Sequence, residues 1–260
     1  IGMIILEPDT YPPMCGHCAI AVATISIEAG YLDPKEGKNL VKLDTPAGIV
    51  PASVMVKGGR AESVTLQMPD SFLYKENIEL KTKTCGKIFG DIAFGGDFYL
   101  IVKASDLGIS LETKNAWHLV SIASELREQL KDIPIQHPTL SHINEVYQIE
   151  IIENHATDPL KGKNVVVCPP TVIDRSPCGT GTAARMALLS GKGKMQIGQT
   201  FTHQGILDTV FYGEIVSEIK VGNLPGINCL VTGSAYLTGS FNFYLDPEDP
   251  FPDGFRLTGV

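Results

Sequence analysis

Two short motifs hold the residues best suited to chemistry. Pro13-Met14-Cys15-Gly16-His17-Cys18-Ala19 and Pro177-Cys178-Gly179-Thr180-Gly181-Thr182-Ala183 share one order: a proline, a Cys-Gly pair, a small or polar turn, then an Ala-rich stretch of helical composition. In both, the cysteine stands where a helix would begin. A helix start offers unpaired backbone N–H groups and the positive end of the macrodipole, which favour thiolate over thiol. The same N–H groups can hold a carboxylate. Two such starts facing each other would clamp one carboxylate and set a sulfur on each side of its α-carbon. One thiolate would take the α-proton while the opposite thiol returns a proton to the other face. The N–H groups of Gly16–Cys18 and of Gly179, Thr180 and Gly181 would meet the developing enediolate charge. The expected chemistry is inversion of a stereocentre without a cofactor, with Cys15 and Cys178 as the catalytic pair. Asp174, just before the second motif, is placed to accept from a substrate ammonium, and His17 to help hold the same nitrogen. Arg175 is expected to pair with Asp174 or a nearby acid.

Three other patterns compete for these residues. Cys15-Gly-His-Cys18 spells C-x-x-C, the motif of thiol-disulfide oxidoreductases. Two prolines and a Met precede it, however, and the matching motif at Cys178 has no second cysteine. Zinc bound by Cys15, His17 and Cys18 would lack a second ligand pair at suitable spacing, so no metal is assigned. Gly179-Thr-Gly181-Thr-Ala-Ala184 matches the dinucleotide fingerprint G-x-G-x-x-A. Prolines separate it from the strand before it, and no acid for a ribose stands in Arg185–Gly205. His118, His137, His142, His155 and His203 show no partner spacing and are read as surface or satisfied core residues. Cys85, Cys168 and Cys229 are read as buried, inert thiols.

The elements that must position these groups are mostly short strands, expected at Leu40–Lys42, Gly48–Val56, Ser63–Gln67, Ile88–Phe94, Phe98–Val102, Val146–Ile152, Asn164–Cys168, Thr209–Ile219 and Ser234–Phe243. Three helices are expected. Cys15–Glu28 is apolar enough to be buried on all sides, Asn115–Lys131 is amphipathic, and Gly179–Ser190 is rich in Ala, Met and Leu. The fold class is α/β (α+β), as two pseudo-symmetric lobes, each presenting a cysteine at a helix N-terminus. The least regular stretch, Pro69–Asn77, marks their junction: residues 1–73 form the first lobe and 74–238 the second.

Bulk composition is consistent with this and removes other classes. With 43% hydrophobic and 19% charged residues the chain can build an ordinary core, which argues against disorder. A formal net charge of −8 without Lys/Arg runs speaks against nucleic acid or an acidic membrane as partner. No apolar run approaches a membrane span. Six cysteines in 260 residues are too few for a disulfide scaffold, so a reducing, cytoplasmic setting is the expectation. The opening Ile1-Gly-Met-Ile-Ile-Leu lacks an initiator Met and reads as a strand already under way, as if the chain started part-way through a longer protein.

These motifs resemble the proline racemase and hydroxyproline epimerase family. The carriers are Met14-Cys-Gly-His17 and Asp174-Arg-Ser-Pro-Cys-Gly-Thr-Gly-Thr182, supported by Leu43-Asp-Thr-Pro-Ala-Gly48, Phe94-Gly-Gly-Asp-Phe98, Thr232-Gly-Ser-Ala-Tyr-Leu-Thr-Gly239 and Asp246-Pro-Glu-Asp-Pro-Phe251. The resemblance runs along nearly the whole chain, with part of the family's N-terminal portion absent. It implies two pseudo-symmetric domains of the diaminopimelate-epimerase-like type, each with a central buried helix wrapped by mixed β-sheet, and an active site in the cleft between them. The final segment, from about residue 239 to 260, would return to the first lobe by analogy. The resemblance also implies a small imino or amino acid substrate, no cofactor, and a homodimer. It assigns Cys15 and Cys178 as the two bases, Asp174 and His17 to the substrate nitrogen, and the turns after each cysteine to the carboxylate. Cys18 stands where the family commonly has Gly, Ser or Asn, which puts it near the substrate. Asp97 replaces a usual Asn. Related dehydratases carry Thr for one catalytic cysteine; both cysteines are present here, which favours epimerisation. The alternatives are a disulfide oxidoreductase using Cys15 and Cys18, and a catalytically silent binder of imino acids.

Overall fold

The computed structural model describes residues 1–6, 11, 14–46, 48–83, 85–146, 148–252 and 254. Pro13 of the first motif, Ala47 of the 43–48 stretch and residues 255–260 of the final segment lie outside the described residues.

The chain opens with helix α1 (Gly16–Glu28), followed by strands β1 (Gly37–Thr45), β2 (Gly48–Lys57), β3 (Arg60–Gln67), β4 (Ser71–Thr82), β5 (Gly86–Phe94) and β6 (Phe98–Lys103). Helix α2 (Ala116–Leu130), strands β7 (Gln148–Asn154), β8 (Lys161–Cys168) and β9 (Val172–Ile173), helix α3 (Gly179–Gly191), and strands β10 (Thr200–Gln204), β11 (Val210–Val221) and β12 (Leu224–Gly233) complete it. The sheet runs β1-β2-β3-β12-β11-β10-β8-β7-β6-β5-β4, and β4 returns to pair with β12 at Phe72–Gly226 and Ser71–Ile227. Strands β4 to β8 and β10 to β12 therefore close into a ring. The β6–β7 and β8–β10 pairs are parallel and the rest antiparallel.

Both faces of β6, β7 and β8 are covered, which explains their near-continuous apolar runs. On β6, Phe98, Leu100 and Val102 face the cluster built around α2, whereas Tyr99 and Ile101 face α3. The period of two repeats on β7 and β8: Ile149, Ile151, Val165 and Val167 support α2, while Ile152 and Val166 line the α3 side. Helix α3 is the centre, buried from Gly179 through Leu189. Helix α1 differs from the expectation of all-round burial. Ala19, Ile20, Ala23 and Ile27 are buried with Val41, Leu43, Val54 and Leu66, but the opposite face is half-buried because β1–β3 cover one side only.

Several strand expectations change. The Pro69–Asn77 stretch, read as irregular, is largely β4: bulges between Leu73 and Lys75 and between Lys75 and Ile78, with Asn77 at φ 54°, break its alternation. Ser234–Phe243 contains no strand; the last strand is β12, whose edges are already taken by β11, β3 and β4. Tyr236, Phe241 and Phe243 are exposed, so β-propensity alone, without a free edge, made no ladder there. At the start, the described residues form no strand, and Gly2 makes an isolated bridge to Asp44. A lobe boundary at 73/74 would fall inside β4, and β3 pairs with β12 across it. The two-lobe division is a proposal that rests on the two cysteine-headed helices, and the return of the final segment is one that rests on the family resemblance alone.

Candidate active site

Each cysteine occupies the N-cap of its helix. Cys15 is extended (φ −142°, ψ 122°) and its carbonyl accepts the first bond of α1, from Ala19 N–H at 3.0 Å. Cys178 has φ 63° and ψ 126°, a region disfavoured for residues with a Cβ and costing about 1–3 kcal/mol. Its surroundings hold it there: Cys178 N–H donates to Ser176 Oγ (3.1 Å), and its carbonyl accepts from Thr182 Oγ1 (2.6 Å) and Thr182 N–H (2.9 Å). The Cys178 sulfur itself caps the helix, accepting from Gly181 N–H at 3.5 Å. That N–H, expected at the substrate carboxylate, is thus shared with the sulfur.

The two helix starts meet backbone to backbone. A Cβ built on Gly16 would lie 2.9 Å from Gly179 Cα, and one on Gly179 would lie 2.9 Å from Gly16 Cα. This contact explains why glycine follows each cysteine, and it brings Cys15 and Cys178, each one residue before its glycine, to the same junction. Gly181 is a packing glycine as well: a Cβ there would lie 3.2 Å from Val166 and 3.4 Å from Tyr99, so its place in a dinucleotide-like pattern is steric. The Gly95-Gly96 turn serves α3 in the same way, since a Cβ on Gly95 would come within 2.2 Å of the Thr180 carbonyl oxygen.

His17 and Asp174 join across the cleft, Nδ1 to Oδ2 at 3.2 Å, with the Asp174 side chain 4% exposed and His17 46%. Asp174 Oδ1 also accepts from Ser176 N–H at 2.8 Å. Burial pushes the Asp174 carboxyl up, but the His17 bond and charge and the Ser176 N–H outweigh it and hold the group below its usual range. His17 is raised to about 10, by the Asp174 bond first and the Cys15 contact second, and is an imidazolium at neutral pH. Arg175 is exposed and forms no ion pair with Asp174, contrary to expectation, because His17 and Ser176 already occupy both carboxylate oxygens.

The thiols have unequal neighbours. The Cys15 thiol is pushed well above its ordinary range by its hydrogen bond with Cys18 and by burial, with His17 opposing. Burial raises Cys178 most, followed by the Asp174 charge. Tyr99 was missed in the sequence. Its hydroxyl lies 3.2 Å from Cys178 Sγ and 2.6 Å from Thr180 Oγ1, and burial keeps the phenol protonated. Within a continuous apolar strand no local signal marks it. Beside His17 a cleft of about 530 Å³ opens, bordered by Ile20, Arg175, Ser176 and Tyr236.

Of the other cysteines, Cys229 is fully buried with its thiol pushed up to about 12 by burial. Cys85 and Cys168 are only half-buried. No cysteine is in a disulfide among the described residues, and none of their helices is long and apolar enough to cross a membrane. His203 is buried against Thr182, its Nδ1 3.0 Å from Thr182 Oγ1, but its Nε2 has no hydrogen-bond partner, so it is not the fully satisfied core residue expected.

Comparison with known proteins points to one family. The family model described as proline racemase matches residues 1–256. The proline racemase of Clostridioides difficile is 41% identical over 257 residues, covering 98% of this chain and 77% of that protein. The 4-hydroxyproline epimerase of Brucella ovis is 36% identical over 258 residues, covering 99% and 77%. Among solved structures, a hydroxyproline epimerase from Agrobacterium vitis with bound trans-4-hydroxy-L-proline superimposes with a TM-score of 0.92 at 31% identity, covering 100% of this chain and 74% of the other. This mixed α/β chain, with its two cysteine-headed helices, belongs to the proline racemase family of amino-acid racemases and epimerases.

Proposed function

We propose that this chain inverts the α-carbon of proline or 4-hydroxyproline without a cofactor, using Cys15 and Cys178 as its two acid–base groups. The observation that carries this reading is the meeting of two cysteine-capped helices at Gly16 and Gly179. First-turn N–H groups of both helices would hold the substrate carboxylate, and Asp174, steadied by His17, the ring nitrogen. The bound 4-hydroxyproline of the Agrobacterium vitis relative supports an imino acid of this size.

In the reaction one sulfur is thiolate and the other thiol. The thiolate takes the α-proton, the carboxylate gains enediolate character, and the opposite thiol protonates the other face. Atoms balance without an external acid or base, and the sulfurs exchange protonation states at each inversion. Both thiols are pushed up in the free protein. The cationic ring nitrogen arriving beside them opposes that shift, so thiolate forms most readily with substrate in place.

The test is deuterium incorporation at the α-carbon in D2O, with the reduced protein and a panel including L-proline, trans-4-hydroxy-L-proline and other amino acids. Exchange with an imino acid is expected; exchange with none would sink the proposal. Cys15→Ser and Cys178→Ser should each lower inversion by at least about 100-fold, the usual share of a positioned acid or base. The oxidoreductase reading has the closeness of Cys15 and Cys18 in its favour. It requires disulfide turnover that depends on Cys18 and ignores Cys178.

A further inference from the structure

Cys15, His17 and Cys18 fall on the N-cap and first turn of α1, which turns their side chains toward one another. One donor atom from each lies within 4.8 Å of the other two, and among the described residues this is the only such group of three or more Cys, His, Asp or Glu side chains. Two sulfurs and an imidazole form a soft to borderline donor set, matched to zinc and its relatives rather than to magnesium or calcium. Bonds of about 2.3 Å to sulfur and about 2.0–2.1 Å to nitrogen put tetrahedral ligands roughly 3.5–3.8 Å apart. From separations of at most 4.8 Å, the three side chains thus need to close by about 1.0–1.3 Å at most, within reach of small side-chain rotations. Asp174 is the second, independent feature. Its side chain is 4% exposed and its Oδ2 sits 3.2 Å from His17 Nδ1, leaving Nε2 for a metal. A carboxylate behind a ligating histidine is how metal sites fix the ring and raise its donor strength. The helix start adds its positive end to favour ionised sulfur.

We propose that Cys15, His17 and Cys18 form a binding site for a thiophilic divalent cation of zinc's class, backed by Asp174, with the fourth position open to the cleft. Binding exchanges two thiol protons for two metal–sulfur bonds and one proton of the His17 imidazolium for a metal–nitrogen bond, and involves no oxidation or reduction. A Cys15 sulfur held this way cannot trade protons with a substrate, so the cation is a reversible inhibitor. That consequence rests on the function proposed above; the binding itself does not. Cys18 supplies the second sulfur, without which the group of three donors does not exist.

Cobalt(II) is the probe, added to the reduced full chain without oxygen. A thiolate-to-cobalt charge-transfer band with tetrahedral visible bands is expected, saturating at one ion per chain. Three protons should be released per ion at neutral pH, two from the thiols and one from the His17 imidazolium, and zinc should displace the cobalt. Cys15→Ser and Cys18→Ser should each weaken binding at least 100-fold, and Asp174→Asn by about 10–100-fold. Cys178→Ser should leave the spectrum and the affinity unchanged. Absence of the band at millimolar cobalt, a band that survives loss of Cys18, or one that needs Cys178 would each overturn the proposal. If inversion is observed, zinc should abolish it and a chelator restore it. If the protein inverts no substrate, the cobalt spectrum still reads the site, so failure of either idea is separately visible.

Discussion

Replacing Gly16 by alanine tests the join between fold and chemistry. The added methyl would lie 2.9 Å from Gly179 Cα, 3.5 Å from its nitrogen and 3.6 Å from its carbonyl carbon. Carbon atoms pack best at about 3.5–4.0 Å, and all three neighbours are backbone. The two helix starts must therefore part by about 0.6–1 Å. Overpacking of this kind costs about 1–3 kcal/mol, whereas Gly→Ala within a helix otherwise gains up to about 1 kcal/mol. A net loss of up to about 2 kcal/mol follows, or up to roughly 8 °C in Tm for a chain of this size. The effect on inversion is larger, because misplacing reacting groups by about 1 Å can cost 100-fold in rate. Deuterium exchange at the α-carbon reports the rate, and thermal unfolding the stability. Gly2→Ala, whose methyl would meet nothing within 4 Å, is the control and should change neither. If Gly16→Ala exchanges within twofold of the parent, the sulfurs do not depend on helix spacing and the two-sided clamp is wrong.

Two further substitutions probe buried groups. Tyr99→Phe removes the hydroxyl 3.2 Å from Cys178 Sγ; a hydrogen bond to a charged partner contributes about 1.5–3 kcal/mol, so the rising limb of kcat/KM against pH should move up by about one to two pH units. An unmoved profile would leave Tyr99 a packing residue only. Glu150 is raised by burial from 4.5 to about 7, against the pull of its Asn164 bond and the Arg185 charge. Its contact with His203 at 3.6 Å is no ion pair, since burial also keeps that imidazole neutral. With the folded value above the unfolded one, the stabilising contribution is full below pH 4.5 and is lost as pH rises through about 7. Relative to the parent, Glu150→Gln should therefore gain about 2–3 kcal/mol between pH 5 and pH 8 in urea unfolding. A difference that does not vary with pH would show that Glu150 ionises alike in both states.

The sequence by itself determined the features that reside within a dozen residues. Both helix starts were legible from Cys-Gly followed by an Ala-rich run, because capping and helix propensity are local. The repeat of that motif pointed to Cys15 and Cys178 as partners. Only the tertiary structure decided how distant pieces meet. Gly16 touches Gly179, and His17 faces Asp174, because the two helices converge, which no spacing along the chain encodes. Tyr99 turns inward to Cys178 because β6 is covered on both faces, so its apolar run carries no period to say which side each residue takes. Bulges hid β4, and the missing edge beyond β12 left Ser234–Phe243 without a partner. Local chemistry is written in short stretches of sequence, whereas register, ring closure and the approach of two helix starts depend on contacts made only when the whole core packs.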